Sequence, residues 1–234
     1  MEFEFIDNGV NAVVVDNFYT EEQLQEIMTE LKWLTKNSIL VAPEDTGSAE
    51  NEFGSVASKS GIFLEQVFKN WRHSALISHS ITQLNSKEFV DSLTKHNELY
   101  KILFYCNTRS HLLSYYENSD FYKPHTDACV FTVLNYFHTE PKQWEGGEMV
   151  LSSFTSDKNA TVEIRNNRII LITSNTFHGV NEIKSKIQKV NGKYSGNGRY
   201  CNSIFLTRND NKEFIAEQNG SGKGKYVQKK EELT

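Results

Sequence analysis

Apolar positions follow two kinds of pattern, and the change between them comes near residue 100. Ala12-Val13-Val14-Val15 is a short apolar run that predicts a buried strand. Behind it, Thr20-Glu21-Glu22-Gln23 has the form of a capping box, a hydroxyl with Gln three positions on. Leu24, Ile27, Met28, Leu31 and Leu34 then recur at helical spacing and predict one amphipathic helix. Residues 43–60 are rich in Ser, Gly, Asp, Glu and Asn and read as a loop. Residues 62–68 and 75–99 read as mostly helical, with Trp71 and His73 between them in structural roles.

Beyond residue 100, short runs of β-formers alternate with turn residues. Strands are predicted over 102–105, 111–116, 130–137, 149–151, 161–164, 169–173 and 200–207. Glu117-Asn118-Ser119-Asp120, Glu145-Gly146-Gly147-Glu148 and Asn166-Asn167 supply turns. Many short strands at this spacing predict a jelly roll. The expected fold is α+β: supporting helices over 1–99 packed on a double-stranded β-helix over 100–208, together one domain. From 209 to 234 the chain is polar and Gly- and Lys-rich, and reads as a mobile tail.

Composition refines this picture in three ways. Aromatic residues make up 12% of the chain, which favours a β-rich core. A net charge of -5 argues against a nucleic-acid partner, whose phosphates call for a basic face. Cys106, Cys129 and Cys201 are scattered, which is not the pattern of a disulfide framework or a zinc-thiolate site. The opening Met-Glu-Phe-Glu-Phe lacks the basic start and apolar run of a signal peptide, and no apolar segment is long enough to span a bilayer. A cytoplasmic protein without a membrane partner is expected.

The chemistry concentrates in Tyr122-Lys123-Pro124-His125-Thr126-Asp127. Residues two apart on a strand project to one face, so His125 and Asp127 can aim an imidazole and a carboxylate at one point. Thr176-Phe177-His178-Gly179-Val180, just after an apolar strand, supplies a third ligand. Two His and one carboxylate on one face leave open positions on a six-coordinate ion, the arrangement suited to iron(II) and O2. His73, His79, His96, His111 and His138 have no comparable setting.

With these residues stand Tyr116, Thr132-Val133-Leu134-Asn135-Tyr136, Trp144-Glu145-Gly146-Gly147-Glu148, His178-Gly179-Val180 and Arg199-Tyr200. In that order they resemble the 2-oxoglutarate/Fe(II)-dependent dioxygenase superfamily, and within it the prolyl 4-hydroxylase-like branch, over roughly residues 100–207. Ser60-Gly61-Ile62-Phe63-Leu64 is similar to a further stretch of the prolyl 4-hydroxylases, although the Arg that usually precedes it is missing and Ala57 sits near its place. The resemblance implies His125, Asp127 and His178 as metal ligands. It implies Fe(II), 2-oxoglutarate as cosubstrate and O2, with ascorbate as an optional reductant. It further implies Arg199 on the distal carboxylate of 2-oxoglutarate, Tyr136 adding a hydroxyl donor there, and Tyr116 beside the cosubstrate.

The basic residue departs from the family pattern, because 199 − 178 = 21 positions separate Arg199 from His178, more than usual. Lys193 is a rival, but Arg199 is followed by a continuous strand and Lys193 by the turn Ser195-Gly196-Asn197-Gly198. The implied reaction hydroxylates an unactivated C–H, most directly of a peptidyl proline, with release of succinate and CO2. A free amino acid or another protein side chain is the alternative substrate, and a peptide, protein or small molecule the expected partner. A nucleic-acid base oxygenase would carry a second Arg where Phe205 stands. A cupin-like metal-binding protein would not need the Arg. The Gly- and Ser-rich segments 51–61 and 181–198 are expected to flank the site mouth.

Overall fold

The computed structural model describes residues 1–7, 9–48, 50–51, 54–153, 157–186 and 194–209. Lys193 and the expected tail beyond Asn209 lie outside the described residues. The chain opens with β1 (Glu2–Ile6), β2 (Ala12–Asp16) and helix α1 (Glu21–Lys36). Strands β3 (Glu50–Asn51), β4 (Gly54–Ser55), β5 (Ala57–Ser58) and β6 (Ser60–Phe63) follow, then helices α2 (Leu64–Val67), α3 (Ala75–Leu84) and α4 (Lys87–His96). The remainder is strand-rich: β7 (Thr108–Tyr116), β8 (Phe121–His125), β9 (Phe131–Phe137), β10 (Trp144–Gly146), β11 (Met149–Ser152), β12 (Asn159–Val162), β13 (Arg168–Thr173), β14 (Phe177–Val180), β15 (Ile183–Ser185) and β16 (Arg199–Thr207).

Two antiparallel sheets face each other, as the jelly-roll reading requires. Among the described residues the larger runs β1-β2-β13-β9-β16-β7-β6 and the smaller β12-β11-β14-β8-β5. The larger sheet is apolar on both faces, and strand alternation sorts its side chains. Val13, Val15, Val133, Ile169, Leu171, Leu113 and Ile204 join the helices, where Ile27, Leu31, Leu34, Leu76, Ile77, Phe89 and Leu93 meet them. Their neighbours Ala12, Val14, Leu134, Tyr136, Ile170, Ile172, Tyr116 and Cys201 turn inward, toward Tyr122, Met149, Leu151, Val162 and Val180 of the smaller sheet. The supporting helices thus cover one face and the jelly-roll interior lies behind the other.

The capping box forms as read, with Thr20 N donating to Gln23 Oε1 at 3.0 Å and Gln23 N to Thr20 Oγ1 at 3.3 Å. Three readings are corrected. Residues 60–63 are strand rather than loop or helix, because Ser60–Phe63 pairs with β7 and Gly61 bridges to Val41. The helical reading of 62–68 survives only in α2. Residues 102–105 are not a strand but the end of a 3-10 helix, Glu98–Tyr105, whose first turn is capped by the Asn97 side chain accepting from Leu99 N. Phe104 and Tyr105 remain exposed there, so their β-forming character finds no sheet to join. Among the described residues no helix is long and apolar enough to cross a membrane.

Arg168 ties β13 to β2. Its Nε and Nη2 donate to Asp16 Oδ1 and Oδ2 at 2.5 and 2.6 Å, a paired geometry that holds the Asp16 carboxyl below the usual range. Asp16→Ala would strand a buried guanidinium and lower stability by about 2–3 kcal/mol, less than for a fully buried pair because Asp16 still meets water. Because the folded pKa is depressed, this contribution is complete above the unfolded carboxylate pKa of about 3.9 and drains as pH falls through the folded value. Urea unfolding of wild type and variant should therefore differ at pH 7 and converge toward pH 2.

Candidate active site

Strands β8 and β14 run antiparallel with His178 opposite His125, which brings the two imidazole centroids to 4.3 Å. Such closeness needs Gly179: a Cβ there would stand 3.0 Å from Tyr122 O and from Pro124 N on β8. The Tyr122 ring stacks on His125 at 3.7 Å and fixes its plane. His125 Nδ1 lies 3.0 Å from Lys123 O, and His178 Nδ1 lies 3.2 Å from Thr176 O. A carbonyl oxygen only accepts, so each Nδ1 carries a hydrogen, and in the neutral tautomer Nε2 is the nitrogen left to offer a lone pair.

Those lone pairs meet a carboxylate. Asp127 Oδ1 is 3.8 Å from His125 Nε2, and Oδ2 is 3.3 Å from His178 Nε2. Asp127 lies past the end of β8 rather than on it, so strand alternation is not what aims it. Thr132 Oγ1, on β9, donates to Oδ2 at 2.6 Å and sets the carboxylate from the opposite sheet. Burial pushes the Asp127 carboxyl up, but His178 and Thr132 outweigh it and keep it below the usual range. Burial, and then the neighbouring His178, push the His125 imidazole down to about 4. Among the described residues this triad is a group able to hold a metal ion, with its ligand atoms all within 4.8 Å of one another. Two imidazole nitrogens and a carboxylate converging at this spacing make a seat for a cation.

Arg199 opens β16 and turns inward. It pairs with Tyr116 on β7, while Tyr136 is paired with Cys201, the next inward residue of β16. The guanidinium carbon lies 4.7 Å from the Tyr116 ring centroid and 4.9 Å from that of Tyr136. Arg199 is 0% exposed, and none of its three side-chain nitrogens has a hydrogen-bond acceptor among the described residues; the Tyr136 hydroxyl is equally unpartnered. One glycine clears the way for this side chain and a second for the strand that carries it. A Cβ on Gly147, at φ +67°, would lie 3.3 Å from Arg199 Cδ and 2.3 Å from Ile183 Cδ1, and one on Gly198 would strike Tyr116 O at 2.1 Å. Gly146-Gly147 is thus more than a turn.

His125, Asp127, His178, Arg199 and Tyr116 all line one cavity of about 290 Å³, together with Phe205 and Lys59; Tyr136 lies behind Arg199. Lys59 escaped the sequence reading because its Ser- and Gly-rich surroundings read as a loop. A second cavity of about 280 Å³, beside Glu65 and His111, contains none of the predicted site residues.

Residues 110–198 match the sequence model of the 2OG-Fe(II) oxygenase superfamily. That segment holds His125, Asp127, His178, Tyr116 and Tyr136 and ends one residue before Arg199, so the candidate site lies within or beside the part of the chain that is similar to this superfamily. Members of that superfamily use Fe(II), 2-oxoglutarate and O2. A prolyl-4-hydroxylase from Pseudomonas putida shares the fold with a TM-score of 0.58 at 11% identity, over 86% of this chain and 94% of its own. A prolyl hydroxylase from Trichoplax adhaerens, solved with a hypoxia inducible factor oxygen degradation domain peptide fragment, gives 0.57 at 15% identity over 86% of this chain and 84% of its own. A prolyl 4-hydroxylase from Phytophthora capsici gives 0.52 at 18%, over 95% and 71%. No curated protein matches the chain in sequence.

The depressed His125 pKa has a measurable sign. The unfolded imidazole, with a pKa of about 6.5, gains its proton before the folded one, so metal-free stability is full above that pH and falls as pH drops toward 4. Histidine side-chain NMR of the metal-free protein should find His125 neutral at pH 6. A His125 titration near 6.5 would contradict the burial described here.

Proposed function

We propose that the protein is a 2OG-Fe(II) oxygenase that hydroxylates an unactivated C–H bond, with 2-oxoglutarate converted to succinate and CO2, and that a peptidyl proline is the first substrate class to test. The observation that carries the proposal is the buried, acceptor-less Arg199 beside the unpartnered Tyr136 hydroxyl. A guanidinium out of water is costly until an anion meets it. The planar fork suits a carboxylate, and a phenol O–H adds one more donor. A non-catalytic metal-binding protein has no use for such a group.

The residues fit the implied cofactors. His125, Asp127 and His178 would hold Fe(II), and Arg199 with Tyr136 would hold the distal carboxylate of 2-oxoglutarate, with Tyr116 as the facing wall. When bound, the iron with 2-oxoglutarate and O2 supplies the oxidising power. The protein turns both Nε2 atoms toward the metal position through their Nδ1 contacts, orients Asp127 through Thr132, and excludes water from around Arg199. Peptidyl proline as substrate is supported by the fold shared with the Pseudomonas putida and Trichoplax adhaerens hydroxylases, at 11% and 15% identity.

Arg199→Ala should raise the 2-oxoglutarate KM about ten- to a hundredfold, the effect of losing a charge-assisted contact of roughly 1.5–3 kcal/mol. Lys193→Ala should leave it unchanged. Succinate formation across a 2-oxoglutarate titration reads both, and the opposite ranking would reassign the anchor. His178→Ala and Asp127→Ala should each abolish high-affinity Mn(II) binding measured by calorimetry. Metal binding that survives either change would remove the triad from the site.

A further inference from the structure

Lys59 sits where the chain crosses from one sheet to the other. Ala57 and Ser58 pair with Tyr122 and Phe121 of β8, the strand that carries His125. Ser60 pairs with Tyr115 of β7, the strand that carries Tyr116. Its backbone is therefore held on both sides, and its side chain enters the cavity between the sheets. The residue is only 5% exposed. Its Nζ donates to Ser114 Oγ at 3.0 Å and lies 4.9 Å from the Tyr122 ring centroid.

A buried ammonium normally has a carboxylate partner. Lys59 has none within ion-pair distance among the described residues, and one neutral hydroxyl leaves two of its donors to be met. Burial lowers its pKa to about 8, with Asp127 opposing that fall, so the amine is still largely protonated at neutral pH. The cavity then holds two cations, Lys59 and Arg199, against one carboxylate, Asp127. Fe(II) and the doubly negative 2-oxoglutarate cancel each other, so loading the site leaves one positive charge in excess.

That excess lies away from the cosubstrate anchor. Ser114 pairs with Cys201, the next inward-facing pair along the β7–β16 ladder from Tyr116 and Arg199. Beyond it the cavity continues to Ser203, Phe205, Gly47 and Ser48. We propose that Lys59 is a specificity-determining residue that receives a carboxylate of the substrate, so that the hydroxylated C–H belongs to a molecule carrying an anion close by. The proposal rests on the oxygenase reading above and narrows its substrate class. The carboxylate is either the terminal one of a free or N-acylated amino acid or the side chain of an acidic residue flanking the target in a peptide. Both present the same group to Lys59.

The test is calorimetric binding of matched probes to the full chain loaded with Mn(II) and 2-oxoglutarate under anaerobic conditions. One pair is N-acetyl-L-proline and N-acetyl-L-prolinamide; a second is Ac-Gly-Pro-Glu-Gly-NH2 and its Gln counterpart. Wild type should bind the acid of at least one pair about tenfold or more tightly than its amide, the scale of one charge-assisted contact. Which pair responds identifies the source of the carboxylate. Lys59→Met should abolish the acid preference, Lys59→Arg should keep it, and 2-oxoglutarate affinity should stay within about twofold in both, because Arg199 holds that anion. Lys59→Met should also melt at or above wild type, since it removes an incompletely paired buried charge.

Acid and amide binding alike in both pairs, including no binding by either, would overturn the proposal. So would a tenfold loss of 2-oxoglutarate affinity in Lys59→Met, or a variant that melts well below wild type. The 2-oxoglutarate titration separates the two levels of the account. No binding in wild type overturns the oxygenase reading and this one with it, whereas normal binding without an acid preference overturns only this one.

Discussion

The central strands of the larger sheet have to be covered on both faces, and the two coverings are unlike. Leu31, Ile77 and Phe89 close one face with a dry helical layer. On the other face the facing sheet stands off far enough to leave a cavity, and the alternation of each strand decides what reaches it. Arg199, Cys201, Ser203 and Phe205 are successive inward residues of β16; Tyr200 and Ile204 are their outward neighbours. A register slip of one residue would send the guanidinium into the helical layer and Tyr200 into the site. Positioning the cation and packing the helices are therefore the same constraint.

That constraint explains the glycines. The sheet can bury a long cationic side chain only if its neighbours leave space: Gly147 leaves it beside Arg199, and Gly198 lets the chain entering β16 pass close to Tyr116 O and the Tyr115 ring. Gly179 does the same for the metal triad by letting β14 approach β8. In each case the missing side chain trades apolar contact for the close approach of functional groups.

Much of the site was legible in the sequence because its residues lie on or beside short, strongly patterned strands. His125, His178, Tyr116, Tyr136 and Arg199 converge on one region, as the spacing and the family resemblance implied. Asp127 joins the two imidazoles, though not by strand alternation, since it stands beyond β8 and Thr132 orients it. What stayed hidden depended on partners distant in sequence. Residues 60–63 look like a flexible Ser-Gly segment, and only their pairing with β7 makes them a strand. Lys59 was invisible for the same reason: a lysine among Ser and Gly is ordinarily solvated, and nothing local says that two sheets enclose it. Ile102, Phe104 and Tyr105 mislead the opposite way, with β-forming side chains on a 3-10 turn that joins no sheet.

The central claim is that the cavity is built around two anions it does not itself supply, one held by Arg199 and one by Lys59. A crystal structure of the full chain grown anaerobically with Mn(II) and 2-oxoglutarate tests it most directly. The account predicts the metal on His125 Nε2, Asp127 and His178 Nε2, the distal carboxylate of 2-oxoglutarate on Arg199 and Tyr136, and Lys59 facing the space left over. A distal carboxylate seated on Lys59, with Arg199 still without an acceptor, would contradict it.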